Sequence, residues 1–299
     1  MLVSTNDYEN DHIVFILYFM DLSLFQQKDI LPRLIMDRLA GVAIDYKEIN
    51  RQIDQSRQEG SSHLKAAVVL LLNFRKRNGQ SEYIFQLIKR SGKVSQGGDI
   101  SCPGGMLQPR QDNFLTYILK TGILPAIYDK YASRTQKVDS ETAELINLFL
   151  TNALREAWEE IGLNPLNTRY LGALPSYTLS MFARTIFPVV CMTRRRFAYK
   201  LNSEVDKIVE IPLTSFFLRE NYAMLNVTTS LGETSEPLQY QAPCLVIPDG
   251  NGSEDILWGA TFNIIHNFLS IISGNTLPSD YSSRTINKIL TLKYISPKS

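Results

Sequence analysis

The sequence predicts an α/β (α+β) fold, a mixed β-sheet packed between helices, and three observations predict it. Two apolar, β-prone runs, "AAVVLLLNF" (Ala66 to Phe74) and "YIFQLI" (Tyr83 to Ile88), flank an Asn78-Gly79 turn signal and read as a hairpin. Three further strand candidates, "RYLGALPS", "TIFPVVCMT" and "KIVEIPLTSF", follow between turn residues. Helical periodicity appears ahead of these strands in "ILPRLIMDRLAGV", between them in "DSETAELINLFLTNALREAWEEIG", and behind them in "ILWGATFNIIHNFLSII" (Ile256 to Ile272).

From the N-terminus, "IVFILYFM" (Ile13 to Met20) is apolar but far shorter than the roughly 20 residues needed to span a bilayer. No Lys or Arg precedes it, so it lacks the charged start of a secretory signal and reads as a buried helix or strand. Residues 1–60 are expected to form a helical extension packed on a single domain over 61–299. "DISCPGG" (Asp99 to Gly105) reads as a short strand ending in a Pro-Gly-Gly turn. The segment at about 113–138 is too apolar and too long for a simple loop, and reads as an inserted helical element beside the site. The helix after it takes Asp139 or Ser140 as N-cap and stops at Gly162.

Composition excludes several function classes. The chain has 299 residues and 44% hydrophobic content, enough for a substantial core. Its 31 basic and 30 acidic residues give no overall field to draw nucleic acid or an anionic membrane. The three cysteines, Cys102, Cys191 and Cys244, lack CxxC spacing, which fits a reducing cytoplasmic setting and offers no zinc or disulfide framework. His12, His63 and His266 are too dispersed in sequence to suggest a histidine metal site or a Ser-His-Asp triad.

The stretch "LREAWEEIGL" (Leu154 to Leu163) carries the chemistry. Glu156, Glu159 and Glu160 stand three and four residues apart, on one side of a helix. Like charges at that spacing repel by a few tenths of a kcal/mol per pair, which a solvated face tolerates and a divalent cation would reverse. By itself the stretch is compatible with either reading.

Its surroundings decide between them. Arg155 to Leu163 matches R-E-U-x-E-E-x-G-U, with U an apolar residue, and so resembles the second half of the Nudix box. The glycines of the first half are Gly104-Gly105 in "CPGG", displaced from Arg155 by the insertion. "KRSGKVSQGGDISCPGG" and the later "LGALPS", "FPVVCMT", "SEVDKIVEIPL" and "WGAT" resemble the coenzyme A diphosphatase-like branch of the Nudix hydrolases, over Ile35 to Ile272. The chain departs from that pattern at Gln96, where the branch has histidine, at Cys102, where it has phenylalanine, and at Gln111, where Asp112 one place later is the acidic residue at hand.

The resemblance implies a Nudix α/β/α sandwich and a Mg²⁺- or Mn²⁺-dependent hydrolase of coenzyme A or acyl-CoA that releases phosphopantetheine and adenosine 3',5'-bisphosphate. Other nucleoside diphosphate derivatives, such as NADH or ADP-ribose, and a non-catalytic Nudix-like module are the alternatives. It implies Glu156 and Glu160 as metal ligands, Glu159 as a further ligand or water contact and the Gly104 carbonyl as a backbone ligand. Arg155 belongs to the catalytic box as a carboxylate-orienting residue, and Arg90, Lys89, Lys93 and Gly105 form the substrate-binding set. Lys89, Arg90 and Lys93 read equally as a solvated hairpin edge, and Gln96 and Asp112 as scaffold. Trp158 is expected in the core and Cys102 as a small buried hydrophobe. The expected partner is a small nucleoside diphosphate derivative, with no nucleic acid and no membrane span; a homodimer is allowed.

Overall fold

The computed structural model describes residues 22–77, 79–120, 138–179, 182–230, 239–249, 252–274, 277–278, 284–291 and 294. The apolar run Ile13 to Met20, Asn78 and the later part of the predicted insertion, 121–137, lie outside the described residues.

Helices α1 (Leu31–Ala40) and α2 (Tyr46–Gln58) precede the hairpin of β1 (Leu64–Arg77) and β2 (Gln80–Arg90). Short strands β3 (Ile100–Ser101) and β4 (Gly104–Met106) bracket the PGG turn, and α3 (Pro109–Lys120) follows. Next comes α4 (Ser140–Ile161), capped at one end by Asp139, whose side chain accepts from the Thr142 N–H. At its other end Gly162 takes φ 72°, the left-handed turn that ends a helix at low steric cost. Strands β5 (Thr168–Ala173), β6 (Tyr177–Leu179), β7 (Arg184–Thr193) and β8 (Val205–Pro212) complete the first sheet. Its order is β3-β2-β1-β7-β5, with β4 on β1, β6 on β7 and β8 on β2; β1 and β7 run parallel and the other pairs antiparallel.

β1 shows why the hydrophobic run is unbroken. Leu70 and Leu72 face one core with α1 residues Ile35 and Leu39, while Ala67, Val69 and Leu71 face another with Phe149, Ala153 and Ala157 of α4. A strand buried on both faces has no polar side to alternate with. The result is the predicted α/β/α sandwich, with α4 laid across β1 and β4.

Three expectations need correction. The apolar stretch from Ile256 is not helical throughout: β11 (Glu254–Trp258) runs to Trp258, Gly259 turns at φ 65°, and helix α5 (Gly259–Ser273) starts there. β11 belongs to a second sheet, β11-β10-β9-β12, that the sequence did not disclose, with β9 (Tyr222–Ser230), β10 (Gln239–Pro248) and β12 (Thr285–Thr291). Pro243 sits inside β10, where proline ordinarily argues against a strand. Trp158 is 62% exposed rather than core, because it lies to the side of the stripe of α4 that buries Ala157 and Ile161. Cys102 is buried as expected. No helix among the described residues is long and apolar enough to cross a membrane.

Candidate active site

The site forms where the PGG turn meets the last turns of α4. Asn152 ties the two together: its carbonyl oxygen accepts from the Ala67 N–H at 3.1 Å and its amide donates to the Met106 carbonyl at 3.1 Å. About two turns on, the Glu160 carboxylate accepts from the Gly104 N–H at 2.9 Å. Gly104 adopts φ 147°, and a Cβ there would stand 2.3 Å from the Ala67 carbonyl oxygen, so the turn requires glycine. A Cβ on Gly105 would stand 2.5 Å from both Cδ and Oε2 of Glu156. The halves separated in sequence by residues 113–138 are therefore in van der Waals contact.

Arg155 organises the acidic side chains. It is 6% exposed, and its Nε donates to Asp112 Oδ1 at 2.7 Å, its Nη2 to Glu156 Oε1 at 2.8 Å and its Nη1 to Glu159 Oε1 at 3.1 Å. Burial works against the Arg155 charge, but the Asp112 hydrogen bond and the fields of Glu156 and Asp112 overcome it and raise its pKa. Asp112 has no exposed surface and also accepts from the Gln108 N–H at 2.7 Å, so it belongs to the scaffold that holds Arg155.

Glu156 and Glu160 open into a cavity of about 650 Å³, shared by Gly104, Gly105, Arg90 and Gln96. Burial pushes Glu160 up to about 8, against the pull of the Gly104 hydrogen bond and of Arg90; Glu156 and Glu204 add to the rise. Burial likewise raises Glu156, with Arg155 opposing. Two hard carboxylates held in a water-poor wall, each pushed toward its protonated form, are the donor set a divalent cation stabilises.

Other predicted residues go elsewhere. Glu159 is about half exposed and pairs with Arg155 rather than turning into the cavity. Lys89 lies beside Arg90 on β2 but points to Asp255, with Nζ at 2.6 Å, and Lys93 is exposed on the following loop. Neither lines the cavity. Among the described residues no three His, Cys, Asp or Glu side chains gather closely enough to hold a metal ion together. The donors therefore fit a cation that takes one or two carboxylates and keeps several waters, as Mg²⁺ does, and do not fit an all-protein cage.

Sequence reasoning missed another part of the cavity wall. Tyr240, Trp258 and Tyr294 come from or beside the second sheet, and Arg184 from the start of β7. Asp99 joins that wall to the PGG turn: it accepts from Trp258 Nε1 at 3.1 Å, from Lys288 Nζ at 2.7 Å and from the Tyr294 hydroxyl. The "WGAT" string marked Trp258 as notable, but nothing local marked Arg184.

No family model and no curated protein matches the chain. Similar solved structures include an Ap4A hydrolase from C. elegans in a binary complex, at 14% identity over 50% of this chain and 81% of that one, with a TM-score of 0.31. A Nudix hydrolase from Alicyclobacillus acidocaldarius is 15% identical over 52% of this chain and 81% of that one, with a TM-score of 0.34. A MutT/nudix family protein from Enterococcus faecalis is 12% identical over 77% of this chain and 71% of that one, with a TM-score of 0.36. At such likeness none of them assigns a role to a residue of this chain.

Proposed function

We propose that this chain is a divalent-metal-dependent hydrolase of the Nudix type that splits a diphosphate linkage, with coenzyme A or an acyl-CoA as substrate. The observation that carries the reading is the join itself: the Gly104 N–H bonded to Glu160, and Gly105 packed on Glu156, at the floor of a cavity large enough for a nucleotide derivative. The Arg155–Leu163 pattern and the "KRSGKVSQGGDISCPGG" segment support the family and the branch.

Glu156 and Glu160, together with the Gly104 carbonyl, would hold Mg²⁺ or Mn²⁺. Such a cation neutralises phosphoryl oxygens and lowers the pKa of a bound water. Glu156 accepts the proton of the attacking water; burial strengthens it as a base, and Arg155 fixes the position of its carboxylate. Water attacks one phosphorus atom, the bridging P–O bond breaks, and the other phosphate leaves with the bond's electron pair. From coenzyme A the products are phosphopantetheine and adenosine 3',5'-bisphosphate. Arg155 and Glu159 do not enter the cavity and act through Glu156.

The test is a substrate panel of CoA, acyl-CoA, NADH, ADP-ribose and dinucleoside polyphosphates, each with Mg²⁺ or Mn²⁺. Turnover of CoA or acyl-CoA is expected, with a loss of at least about a hundredfold in Glu160→Gln. Preference for another member of the panel would overturn the branch assignment. No turnover of any member, together with no stabilisation by either metal, would overturn the hydrolase.

A further inference from the structure

The cavity that the carboxylates line also holds two guanidinium groups, and they differ in how well they are satisfied. Arg90, at the end of β2, donates through Nε to the Ser95 carbonyl at 3.0 Å. Arg184, at the start of β7, has a buried Nε without a hydrogen-bond partner and forms no ion pair among the described residues. Both line the same cavity as Gly104, Gly105, Glu156 and Glu160.

Leaving a charged donor buried and unpaired is expensive, and placing a second cation close to it adds repulsion. Burial, and then the field of Arg90, disfavour the charged form of Arg184. A structural arginine in a β-strand would ordinarily answer such a position with a carboxylate. The carboxylates that share this cavity are Glu156, which pairs with Arg155, Glu160, which accepts from Gly104, Glu204, and Asp99, which is engaged by Trp258, Lys288 and Tyr294. None of them forms a bond to Arg184 among the described residues, so the cavity that holds these carboxylates also holds a guanidinium that none of them neutralises.

We propose that Arg184, with Arg90, forms an anion subsite that holds one phosphoryl group of the substrate while the neighbouring phosphoryl group lies at Glu156 and Glu160. The inference rests on the diphosphate hydrolase reading and deepens it. It makes Arg184 a positioning residue, and it gives the substrate a defined requirement: two adjacent phosphoryl groups, one neutralised by guanidinium and one at the carboxylate end. Guanidinium suits that role because it presents parallel donors to phosphate oxygens, which an ammonium group does not.

Calorimetric titration of inorganic pyrophosphate into the full chain in EDTA tests this apart from catalysis. Wild type is expected to bind it, and Arg184→Met to bind at least about tenfold more weakly. In the absence of pyrophosphate Arg184→Met should melt no lower than wild type, because it removes an unsatisfied buried donor. If Arg184→Met does not fold, Arg184→Lys decides, with several-fold weaker binding expected because the charge stays and the fork is lost. Binding equal to wild type in the folded variant overturns the subsite. Loss of pyrophosphate binding in Arg184→Met supports it even where the panel shows no turnover, an outcome that would count against the hydrolase and not against the subsite.

Discussion

Asp112→Asn is the perturbation that most directly probes how the site is held. Asp112 is fully buried, and both of its oxygens are acceptors: Oδ1 takes the Arg155 Nε–H at 2.7 Å, and Oδ2 takes the Gln108 N–H at 2.7 Å and lies 3.4 Å from Arg155 Nη2. Asparagine preserves the shape, yet whichever way its amide is turned, an NH₂ group faces an N–H donor. The change also leaves the Arg155 charge buried, with Glu156 and the half-exposed Glu159 as its remaining acidic partners. Removing one member of a buried ion pair costs about 3–5 kcal/mol, a large share of the roughly 5–15 kcal/mol that holds a domain folded. Denaturation by urea at neutral pH, without metal, should show this loss as a lower midpoint with an unchanged slope. Because Arg155 also orients Glu156, kcat should fall by about tenfold beyond any loss of folded protein. For comparison, Glu254→Gln breaks an exposed pair with Arg284 and should change stability far less. A loss under about 1 kcal/mol for Asp112→Asn would refute the reasoning, since the pair would then behave like a surface contact.

Two further changes separate the site from the scaffold. Gly105→Ala places a Cβ 2.5 Å from the Glu156 carboxylate, the movable end of a side chain rather than backbone; it should lower kcat by about tenfold or more while the melting temperature shifts little, and full activity would contradict the packing of the turn on Glu156. The Glu160 carboxyl, carried from 4.5 to about 8 by burial, makes the metal-free protein depend on pH. A raised carboxyl stabilises the folded state fully below 4.5 and loses that contribution as pH climbs through about 8, so metal-free wild type should weaken from pH 5 to pH 9 by up to about 4 kcal/mol. Glu160→Gln should flatten that dependence, and Mg²⁺ should stabilise wild type more at pH 9 than at pH 6, because cation and proton compete for the carboxylate. Parallel pH profiles for the two proteins in thermal denaturation would refute the assignment.

Local physics made much of this legible before any coordinates. The hairpin of β1 and β2 was readable because an Asn-Gly turn separates two β-prone runs, and the ends of α4 because Asp139 caps and Gly162 terminates within a turn of the residues they act on. Pairing of "CPGG" with the glutamate helix was readable as pattern, and the structure supplies the bond, from the Gly104 N–H to Glu160. The second sheet was not readable. β10 carries Pro243, β11 runs without a break into the apolar pattern of α5, and β12 reaches β9 from the far end of the chain.

The sequence by itself determined which residues could do chemistry: a helix spaced to bring Glu156 and Glu160 onto one side, an arginine beside them, and a pair of glycines able to approach a carboxylate closely. Tertiary structure decided which of them face the cavity. It turned Glu159 to Arg155, sent Lys89 to Asp255, buried Asp112 beneath Arg155 and brought Arg184 into the cavity that Glu160 lines. The physical reason is range. Propensity, capping and helical spacing act within a few residues, whereas burial and the fields that set the charge of Glu160 and Arg184 arise from strands and loops far away in sequence that fold against them.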